Sequence, residues 1–288
     1  MDGCAPAVLE CCAYHPDETL YGQGPYPTIV CVYGGPCVQR VINHWTTFGD
    51  LSAQRLAQAG LLVVKCDNRG SSRRGNAFES AIHLNVGSVE VSDQVAVVQY
   101  LVSQGLADSF NVGIYGWSYG GYMSAISLCK APTVFKAACA GAPVTFWEGY
   151  DTFYTERYMS TPEKNNDGYR KSSVMSNVES MKGSLLILHG LIDENVHFRH
   201  SACLIDSLNT LRKRYELLLF PNERHSPHRI SDKVYMEDRI FEFFRTHLTS
   251  AQNLRHGPLG NHGDSASGYD PSQIISAAQN EERLMAHL

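Results

Sequence analysis

Apolar residues occur along the chain in short runs that lack polar alternation, and stretches with helical spacing separate these runs. Runs of this kind are typical of parallel strands buried on both faces of a sheet. The runs are residues 28–33, 61–67, 111–115, 135–140, 185–189 and 215–220, and the helical patterns are residues 51–59, 91–104, 118–129, 198–211 and 234–248. In the second helical pattern the predicted sheet-facing positions are Val91, Val95, Val98 and Val102. The alternation predicts an α/β fold with a doubly wound, mostly parallel sheet, helices on both faces, and ligands at the carboxyl ends of the strands.

Two stretches depart from this alternation. Residues 142–172 are rich in aromatic side chains and contain no clear strand, so we interpret them as an excursion over the ligand site. Beyond residue 248, Gly, Asn, His, Ser and Gln dominate, and such a composition buries too little apolar surface to offset chain entropy. We expect residues 250–271 to be disordered. Residues 272–288 could form an amphipathic helix that binds a partner, but a weakly ordered end is our expectation.

Composition and charge narrow the classes of partner. Of the 288 residues, 43% are hydrophobic and 18% are charged, which is enough apolar material for a buried core. The formal net charge of −5 gives no basic footprint for nucleic acid or for an anionic membrane. No apolar stretch approaches the ~18 residues of a membrane span, and the N-terminus does not have the pattern of a signal peptide. We expect peptides, proteins or small molecules as partners, and neither nucleic acid nor a membrane.

The nine cysteines are an odd number, and Cys31, Cys66 and Cys139 each fall within an apolar run. This placement favours buried free thiols. The adjacent pair Cys11-Cys12 does not have the spacing of a zinc site, so we expect no metal and no cofactor. Unpaired thiols, together with the absence of an Asn-x-Ser/Thr sequon, predict a cytoplasmic location.

The pentapeptide Gly116-Trp117-Ser118-Tyr119-Gly120 follows one apolar run and precedes a helical pattern. This layout predicts a nucleophile elbow, in which a serine lies on a tight turn between a strand and a helix, and the glycines avoid collisions with neighbouring backbone. Ser118 would then face a substrate from a helix N-terminus, where unpaired N–H groups favour developing negative charge. The alternative is a glycine-rich turn without a catalytic role.

A serine nucleophile needs a histidine base and a carboxylate that orients the histidine, and the α/β-hydrolase fold places them in the chain order Ser, Asp, His. Asp193 lies just past the run 185–189, and His225 lies in the loop after the run 215–220. Both positions are at the carboxyl ends of predicted strands, as Ser118 is. We therefore predict that Ser118, Asp193 and His225 form a catalytic triad.

Other residues compete for these roles. Glu194 lies in the same turn as Asp193, but its side chain would point away from the histidine. Asp206 falls within a predicted helix. His189 ends a strand and could pack near the site. His197 and His200 lie three residues apart on a predicted helix, but the glutamate-bearing motif of zinc peptidases does not accompany them. We interpret these two histidines as part of a solvated face.

Acyl transfer also needs two hydrogen-bond donors for the oxyanion. The backbone N–H of Tyr119 is predicted to supply one, because this residue follows the nucleophile. The other is expected in the glycine-rich segment at residues 32–36, either from its backbone or from the Tyr33 hydroxyl. An ordinary strand-ending turn with a core tyrosine is the alternative reading of this segment.

Seven motifs, in order, resemble the catalytic domain of the prolyl oligopeptidase family, in particular its dipeptidyl peptidases and among these the cytosolic members. They are VYGGP at 32–36, DNRGS at 67–71, GWSYGG at 116–121, AGAPVTFW at 140–147, YDTFYTERYM at 150–159, HGLIDENVHF at 189–198 and ERHS at 223–226. The similarity covers residues 14–248. We accordingly divide the chain into an edge segment of the hydrolase domain (1–27), an α/β-hydrolase catalytic domain (28–249) and a low-complexity tail (250–288).

The resemblance implies a serine peptidase that removes dipeptides after proline or alanine, with the predicted triad and with the Tyr33 hydroxyl as the second oxyanion donor. It also implies a pocket for the proline ring, whose aromatic walls suit a flat apolar ring. The implied pocket residues are Tyr119, Val144, Trp147, Tyr150, Tyr154 and Val196. Asn195 matches the family position that hydrogen-bonds the carbonyl of the preceding substrate residue. A homodimer through the hydrolase domain is implied in the same way.

One difference from the family pattern affects the expected activity. Family members place a β-propeller before the hydrolase domain, and its paired glutamates bind the substrate's amino group. We find no propeller in this sequence and expect an early edge strand of the sheet to be missing as well. Asp151 and Glu156 belong to the shared framework and are not predicted to replace those glutamates.

Three hypotheses remain for the function of the chain. It is part of a longer dipeptidyl peptidase, which we favour, or it is a general serine esterase or peptidase with an open site. The third hypothesis is a non-catalytic interaction fragment. Ser118 argues against it, because the inactive members of the family lack the serine.

Overall fold

One mostly parallel sheet runs through residues 7–249, the part of the chain that the computed structural model describes. Its strands are Glu10–Tyr14 (β1), Tyr26–Cys31 (β2), Leu62–Asp67 (β3), Ala107–Trp117 (β4), Ala137–Gly141 (β5), Ser184–Gly190 (β6) and Glu216–Phe220 (β7). Their order in the sheet is β1-β3-β2-β4-β5-β6-β7. β1 pairs antiparallel with β3, and the other neighbouring pairs are parallel. The carboxyl ends of β2 to β7 therefore share one edge of the sheet, as the sequence predicted.

Helices cover both faces of the sheet. They are Glu18–Tyr21 (α1), Trp45–Phe48 (α2), Leu51–Gln58 (α3), Asn76–Glu79 (α4), Val89–Ser103 (α5), Tyr119–Lys130 (α6), Thr152–Met159 (α7), Asn166–Ser172 (α8), Arg199–Thr210 (α9) and Ile230–Leu248 (α10), with 3₁₀ turns at Ser80–Ile82, Trp147–Gly149 and Met175–Ser180. On one face, α3 and α10 pack on the strands through Leu56 and Phe244. On the other face, α5, α6 and α9 contribute Val98, Ile126 and Leu204 to a separate cluster. The predicted doubly wound architecture is confirmed.

The valines of α5 that were predicted to face the sheet differ in how deeply they are buried. Val91 and Val98 are buried, and Val95 and Val102 are partly buried against the same cluster. The predicted sheet-facing stripe is therefore correct in part, since Val97 and Leu101 are buried as well and were not predicted. The same helix also buries polar side chains, Glu90 and Gln94 among them, which an apolar pattern does not predict.

Two strands differ from the sequence prediction. β1 was not predicted as a strand. It has five residues, only one of them is buried, and its sequence therefore contains no long apolar run. Its strand conformation depends on antiparallel pairing with β3, with Cys11 opposite Cys66. β4 begins before the predicted run 111–115, and its residues 108–111 are partly or fully exposed, so a continuous apolar run does not mark them.

The aromatic stretch 142–172 contains no strand, as expected, but it does contain α7 and α8. Asp151 caps α7 by accepting a 2.8 Å hydrogen bond from the backbone N–H of Tyr154. This capping role agrees with the expectation that Asp151 belongs to the structural framework. The predictions for residues 250–288 lie outside the described residues. Within residues 7–249, no helix combines the length and the apolar character needed to cross a membrane.

Candidate active site

Ser118 lies in the tight turn between β4 and α6. Its φ of 61° and ψ of −117° lie in a region that non-glycine residues rarely adopt. The backbone N–H of Ser118 donates to Gly141 O at 2.8 Å, which fixes the turn to the neighbouring strand. A Cβ atom at either Gly116 or Gly120 would collide with Val32 O, so both flanking glycines are required by close backbone approach. The turn has the geometry of a nucleophile elbow.

The structure brings His225 and Asp193 together at the same edge of the sheet. His225 Nδ1 lies 2.8 Å from Asp193 Oδ2, and the Asp193 side chain is fully buried. Because the ionised carboxylate only accepts hydrogen bonds, Nδ1 carries the proton and Nε2 is the ring atom that can accept one. His225 is therefore in the tautomer that a general base for a serine requires.

The carboxylate of Asp193 is held from several sides. Its Oδ1 accepts hydrogen bonds of 2.9 Å from the backbone N–H groups of Asn195 and Val196. His189 Nε2 lies 3.3 Å from Oδ2 and 2.8 Å from Val196 O. Burial alone would raise the pKa of the Asp193 carboxyl, but hydrogen bonds from His189 and His225 outweigh burial and hold that pKa well below its usual range. Asp193 therefore stays ionised at neutral pH.

Contacts to its backbone hold the loop of His225 against the rest of the site. Trp117 Nε1 donates to His225 O at 2.6 Å, which joins the elbow directly to the histidine loop. A Cβ atom at Gly190 would collide with Glu223 O and Arg224 O, so the aspartate loop and the histidine loop meet backbone to backbone. These contacts explain why small residues occur in the motifs around the triad.

Glu223 shapes the histidine loop from within. Its buried carboxylate accepts hydrogen bonds from the backbone N–H groups of His228, at 2.7 Å, and Arg229, at 3.2 Å. The loop therefore folds around the first residue of the ERHS motif. The competing acids do not approach His225 in this arrangement, because Glu194 is exposed and pairs with Arg224 and Asp206 lies within α9.

Tyr33 and Tyr119, the two predicted oxyanion donors, are neighbours. Their ring centroids are 6.0 Å apart. Tyr119 is the first residue of α6, and N–H groups in the first turn of a helix have no acceptor within the helix. Burial raises the pKa of the Tyr33 hydroxyl, so this group keeps its proton and can donate at neutral pH. The Tyr119 side chain points away into the core, where its hydroxyl donates to Glu90 Oε1 at 2.7 Å.

The other predicted pocket residues form an aromatic cluster beside these tyrosines. Trp147 stacks on Tyr154 with a centroid distance of 6.2 Å and an interplanar angle of 12°. Tyr150 meets both rings edge-on, at 6.2 Å from Trp147 and 5.4 Å from Tyr154. Val144 and Val196 are buried in the same apolar cluster as Trp147. Tyr150 and Tyr154 are partly exposed and offer flat apolar surfaces to a small ring, whereas Trp147 is buried.

Asn195 is linked to this cluster by its amide. The Tyr150 hydroxyl donates to Asn195 Oδ1 at 2.6 Å. Burial and the charge of Asp151 raise the pKa of Tyr150 to about 12, so the phenol remains a donor. This bond uses the acceptor of the amide. The Nδ2 group of Asn195, which is its donor, can then donate to a substrate carbonyl.

The prediction for His200 is wrong. This residue was expected on a solvated face together with His197, and His197 is indeed exposed, but His200 is buried. His200 Nδ1 accepts from the backbone N–H of Thr145 at 3.2 Å, and Nε2 lies 3.2 Å from Gly149 O. His200 thus holds the segment that carries Trp147. The spacing along α9 could not reveal this role, because the excursion of residues 142–172 covers that face of the helix.

Glu90 was not singled out by the sequence, although it contacts the elbow residue Tyr119. A signal was present, since Glu90 lies between valines within the apolar pattern of α5. Burial raises the pKa of its carboxyl, against the effect of hydrogen bonds from Gly87, Ser88 and Tyr119.

Comparison with known proteins agrees with this geometry. A model of the prolyl oligopeptidase family matches residues 46–251. Dipeptidyl peptidase 8 of Mus musculus is 43% identical over 241 residues, which is 82% of this chain and 27% of that protein. Dipeptidyl peptidase 4 of Sus scrofa is 40% identical over 207 residues, which is 69% of this chain and 26% of that protein.

Solved structures show the same similarity. The crystal structure of Porphyromonas gingivalis dipeptidyl peptidase 4 superposes with a TM-score of 0.77 at 30% identity and covers 83% of this chain and 34% of that chain. A putative dipeptidyl aminopeptidase IV from Bacteroides ovatus superposes with a TM-score of 0.76 at 33% identity, with the same coverage. The chain thus spans about a quarter to a third of the length of these relatives. It has an α/β-hydrolase fold, and it belongs to the prolyl oligopeptidase family.

Proposed function

We propose that the chain is the catalytic part of a serine peptidase that hydrolyses peptide bonds after proline or alanine through an acyl-enzyme. The observation that supports this most directly is the 2.8 Å contact between His225 Nδ1 and Asp193 Oδ2 next to the elbow of Ser118. A buried, ionised aspartate that fixes the histidine tautomer is what a serine nucleophile needs. The family relatives bear names of dipeptidyl peptidases, in agreement with this chemistry.

In the proposed acylation step, His225 Nε2 accepts the proton of the Ser118 hydroxyl as Oγ attacks the substrate carbonyl carbon. Asp193 stabilises the imidazolium that forms. His225 then gives the proton to the leaving amine, and the C–N bond breaks. Water hydrolyses the resulting ester by the same route, with His225 again as base.

The negative oxygen of the tetrahedral intermediate would accept hydrogen bonds from the Tyr119 backbone N–H and from the Tyr33 hydroxyl. Loss of one such donor typically costs ~3–4 kcal/mol of transition-state stabilisation. A tyrosine that keeps its proton at neutral pH suits this task, because the phenol donates without adding a charge of its own.

The residue before the cleaved bond would lie against Trp147, Tyr150 and Tyr154. Proline fits there because its ring buries apolar surface without exposing an N–H group. Asn195 Nδ2 would donate to the carbonyl of the preceding residue. Release of dipeptides also requires groups that recognise a free amino terminus. We propose that activity for a longer polypeptide in which residues outside this chain supply them.

A fluorophosphonate probe tests the proposed nucleophile. We expect the wild-type chain to be labelled and Ser118→Ala to remain unlabelled. Ser103→Ala, at an exposed serine of α5, is the matched control and should be labelled like the wild type. Labelling that survives in Ser118→Ala, or a wild type that is never labelled, would refute the triad.

A Gly-Pro anilide and a simple acetate ester separate the peptidase from a general esterase. Preference for the anilide over a Gly-Gly anilide would support the aromatic pocket as a proline site. Equal turnover of all acyl groups would instead favour an esterase with an open site. Trp147→Ala should reduce turnover of the Gly-Pro substrate more than that of the acetate ester, because only the former needs the ring pocket.

We further propose a cytoplasmic location and a homodimer formed through the hydrolase domain. Free thiols at Cys66, Cys129 and Cys139 within the core suit a reducing compartment. Cell fractionation with an antibody against the chain tests the location. Light scattering after size-exclusion chromatography tests the dimer, and a monomer at micromolar concentration would contradict it.

A further inference from the structure

Two buried polar residues lie one helical turn apart on α5, beneath the proposed oxyanion donors. Glu90 and Gln94 are both 0% exposed. Residues four apart on a helix share a face, so both side chains leave α5 in the same direction. Burying a carboxylate and an amide in a core is unfavourable unless their hydrogen bonds are satisfied by specific partners. Glu90 bonds directly to Tyr119, and Gln94 reaches the residue after Tyr33 through Asn68. Gln94 Nε2 also lies 3.3 Å from Cys66 O, and Gln94 Oε1 has no hydrogen-bond partner among the described residues.

The first branch begins at Glu90 and ends at Tyr119. Glu90 Oε1 accepts from the Tyr119 hydroxyl at 2.7 Å and from the Gly87 backbone N–H at 2.8 Å, and Oε2 accepts from the Ser88 backbone N–H at 3.0 Å. The Tyr119 ring is thereby fixed to the N-terminus of α5. Its backbone N–H, the first proposed donor, belongs to the same residue.

The second branch begins at Gln94 and ends beside Tyr33. Gln94 Nε2 donates to Asn68 Oδ1 at 2.8 Å, and Asn68 Nδ2 donates to Gly34 O at 2.9 Å. Gly34 follows Tyr33 and has a φ of 78°, so the position of the tyrosine depends on how this turn is held. Asn68 belongs to the DNRGS motif, to which the proposed mechanism assigns no role.

The two branches meet between the donors. A Cβ atom at Gly35 would lie 2.6 Å from Tyr119 Cγ, so the turn after Tyr33 packs directly on the Tyr119 ring. Movement of either partner would change the distance between the Tyr33 hydroxyl and the Tyr119 N–H. We propose that Glu90 and Gln94 are positioning residues that set this distance, Glu90 through Tyr119 and Gln94 through Asn68 and Gly34. This inference rests on the proposed function.

Kinetics of fluorophosphonate labelling test the proposal, because the phosphonyl oxygen occupies the oxyanion site during attack. Tyr119→Phe removes one oxygen atom and with it the hydrogen bond to Glu90 in the first branch. Gln94→Met removes the hydrogen bond to Asn68 in the second branch. We expect each to lower the maximal labelling rate about tenfold, since small misplacements of reacting groups cost that much or more. The apparent binding constant of the probe should change less than about twofold, because the loss is confined to the transition state.

Tyr122→Phe is the matched control. Tyr122 is another buried tyrosine of α6, and its hydroxyl donates to Val86 O at 3.2 Å. Phenylalanine keeps the edge-on contact of this ring with Tyr119, at a centroid distance of 5.5 Å, and removes a buried hydroxyl that hydrogen-bonds to neither branch. We expect its labelling rate to equal that of the wild type, although its Tm falls. If Gln94→Met does not fold, Tyr119→Phe still decides the question.

A double-mutant cycle separates positioning from general stability. Gln94 acts through Tyr33, so Gln94→Met should cause no further loss of rate in a Tyr33→Phe background. Tyr119→Phe should keep its full effect there. A full additional loss for Gln94→Met in the Tyr33→Phe background, wild-type rates in both single variants, or rates that simply follow Tm would overturn the proposal while leaving the triad intact. A wild type that is never labelled would instead refute the proposed function, and this inference with it.

Discussion

Two histidine nitrogens and two backbone N–H groups surround the carboxylate of Asp193. The sequence located this residue and His225 because their loops follow predicted strands. It could not show that His189 Nε2 also lies 3.3 Å from the same carboxylate, since that contact depends on how β6 and the loop after it fold together. The residue types indicated the chemistry, and their hydrogen-bond partners define its geometry.

Replacement of Asp193 by Asn should lower the maximal rate about 10⁴-fold with little effect on substrate binding. The amide would leave the wrong nitrogen of His225 protonated, as in other triads. Steady-state kinetics with the best reporter substrate measure this. Glu194→Gln is the control, since Glu194 forms an exposed pair with Arg224 that contributes ~0–1 kcal/mol at most. A similar loss of rate in both variants would contradict the assignment of Asp193.

Trp117→Phe should lower the maximal rate about tenfold, because it removes the 2.6 Å donor to His225 O and frees the histidine loop from the elbow. The hydrogen bond itself should contribute only about 1 kcal/mol to the free energy of unfolding. Chemical denaturation and kinetics on the same samples separate these effects. Trp45→Phe, at a tryptophan that is 73% exposed, should change neither quantity. Unchanged turnover in Trp117→Phe would show that the loop is held without this bond.

A residue of α9 holds the segment that carries Trp147. His200 provides the link, and its burial was unexpected because the sequence pattern of α9 shows which residues are polar but not what packs above them. β1 is a similar case, since its partner β3 determines that it is a strand. Elements with long apolar runs were predictable, whereas those that depend on a neighbour were not.

As the pH is lowered from about 6.5 to about 4, the free energy of unfolding should decrease because of His200. Burial lowers its pKa from 6.5 to about 4, so in this range the unfolded chain binds a proton that the folded chain does not. The contribution of His200 to stability is therefore complete above pH 6.5 and declines as the pH approaches 4. Tm measured against pH should fall less steeply for His200→Gln than for the wild type. Parallel curves for the two proteins would contradict this explanation.

Across residues 7–249, the distribution of cysteines follows the layers of the fold. Cys66 and Cys139 lie in central strands, as predicted, and α6 contributes a third buried thiol, Cys129. Cys31 is only partly buried at the carboxyl end of β2, although Ile29 on the same face of the strand is fully buried. A run of apolar residues predicts that a position is in a strand, but the coverage of that strand depends on the helices packed over it.

Alkylation of the native chain should modify Cys11 and Cys37 first, since both are exposed. Cys129 and Cys139 should react only after unfolding. Burial raises the pKa of Cys129 to about 12 and that of Cys139 well above its usual range, so both remain protonated and inaccessible. Mass spectrometry of iodoacetamide-treated protein, with and without denaturant, measures the order. Rapid native modification of Cys139 would contradict the described core.

The sequence by itself determined the alternation of strands and helices, the elbow at Ser118, and the order of serine, aspartate and histidine. These follow from local pattern, because apolar runs, glycines and turn positions are properties of neighbouring residues. Only the tertiary structure decided which side chains share the site: His189 against Asp193, Trp117 against His225, and Glu90 beneath Tyr119. These contacts join residues on different elements, and their geometry exists only once the strands have paired and the helices have packed on the sheet.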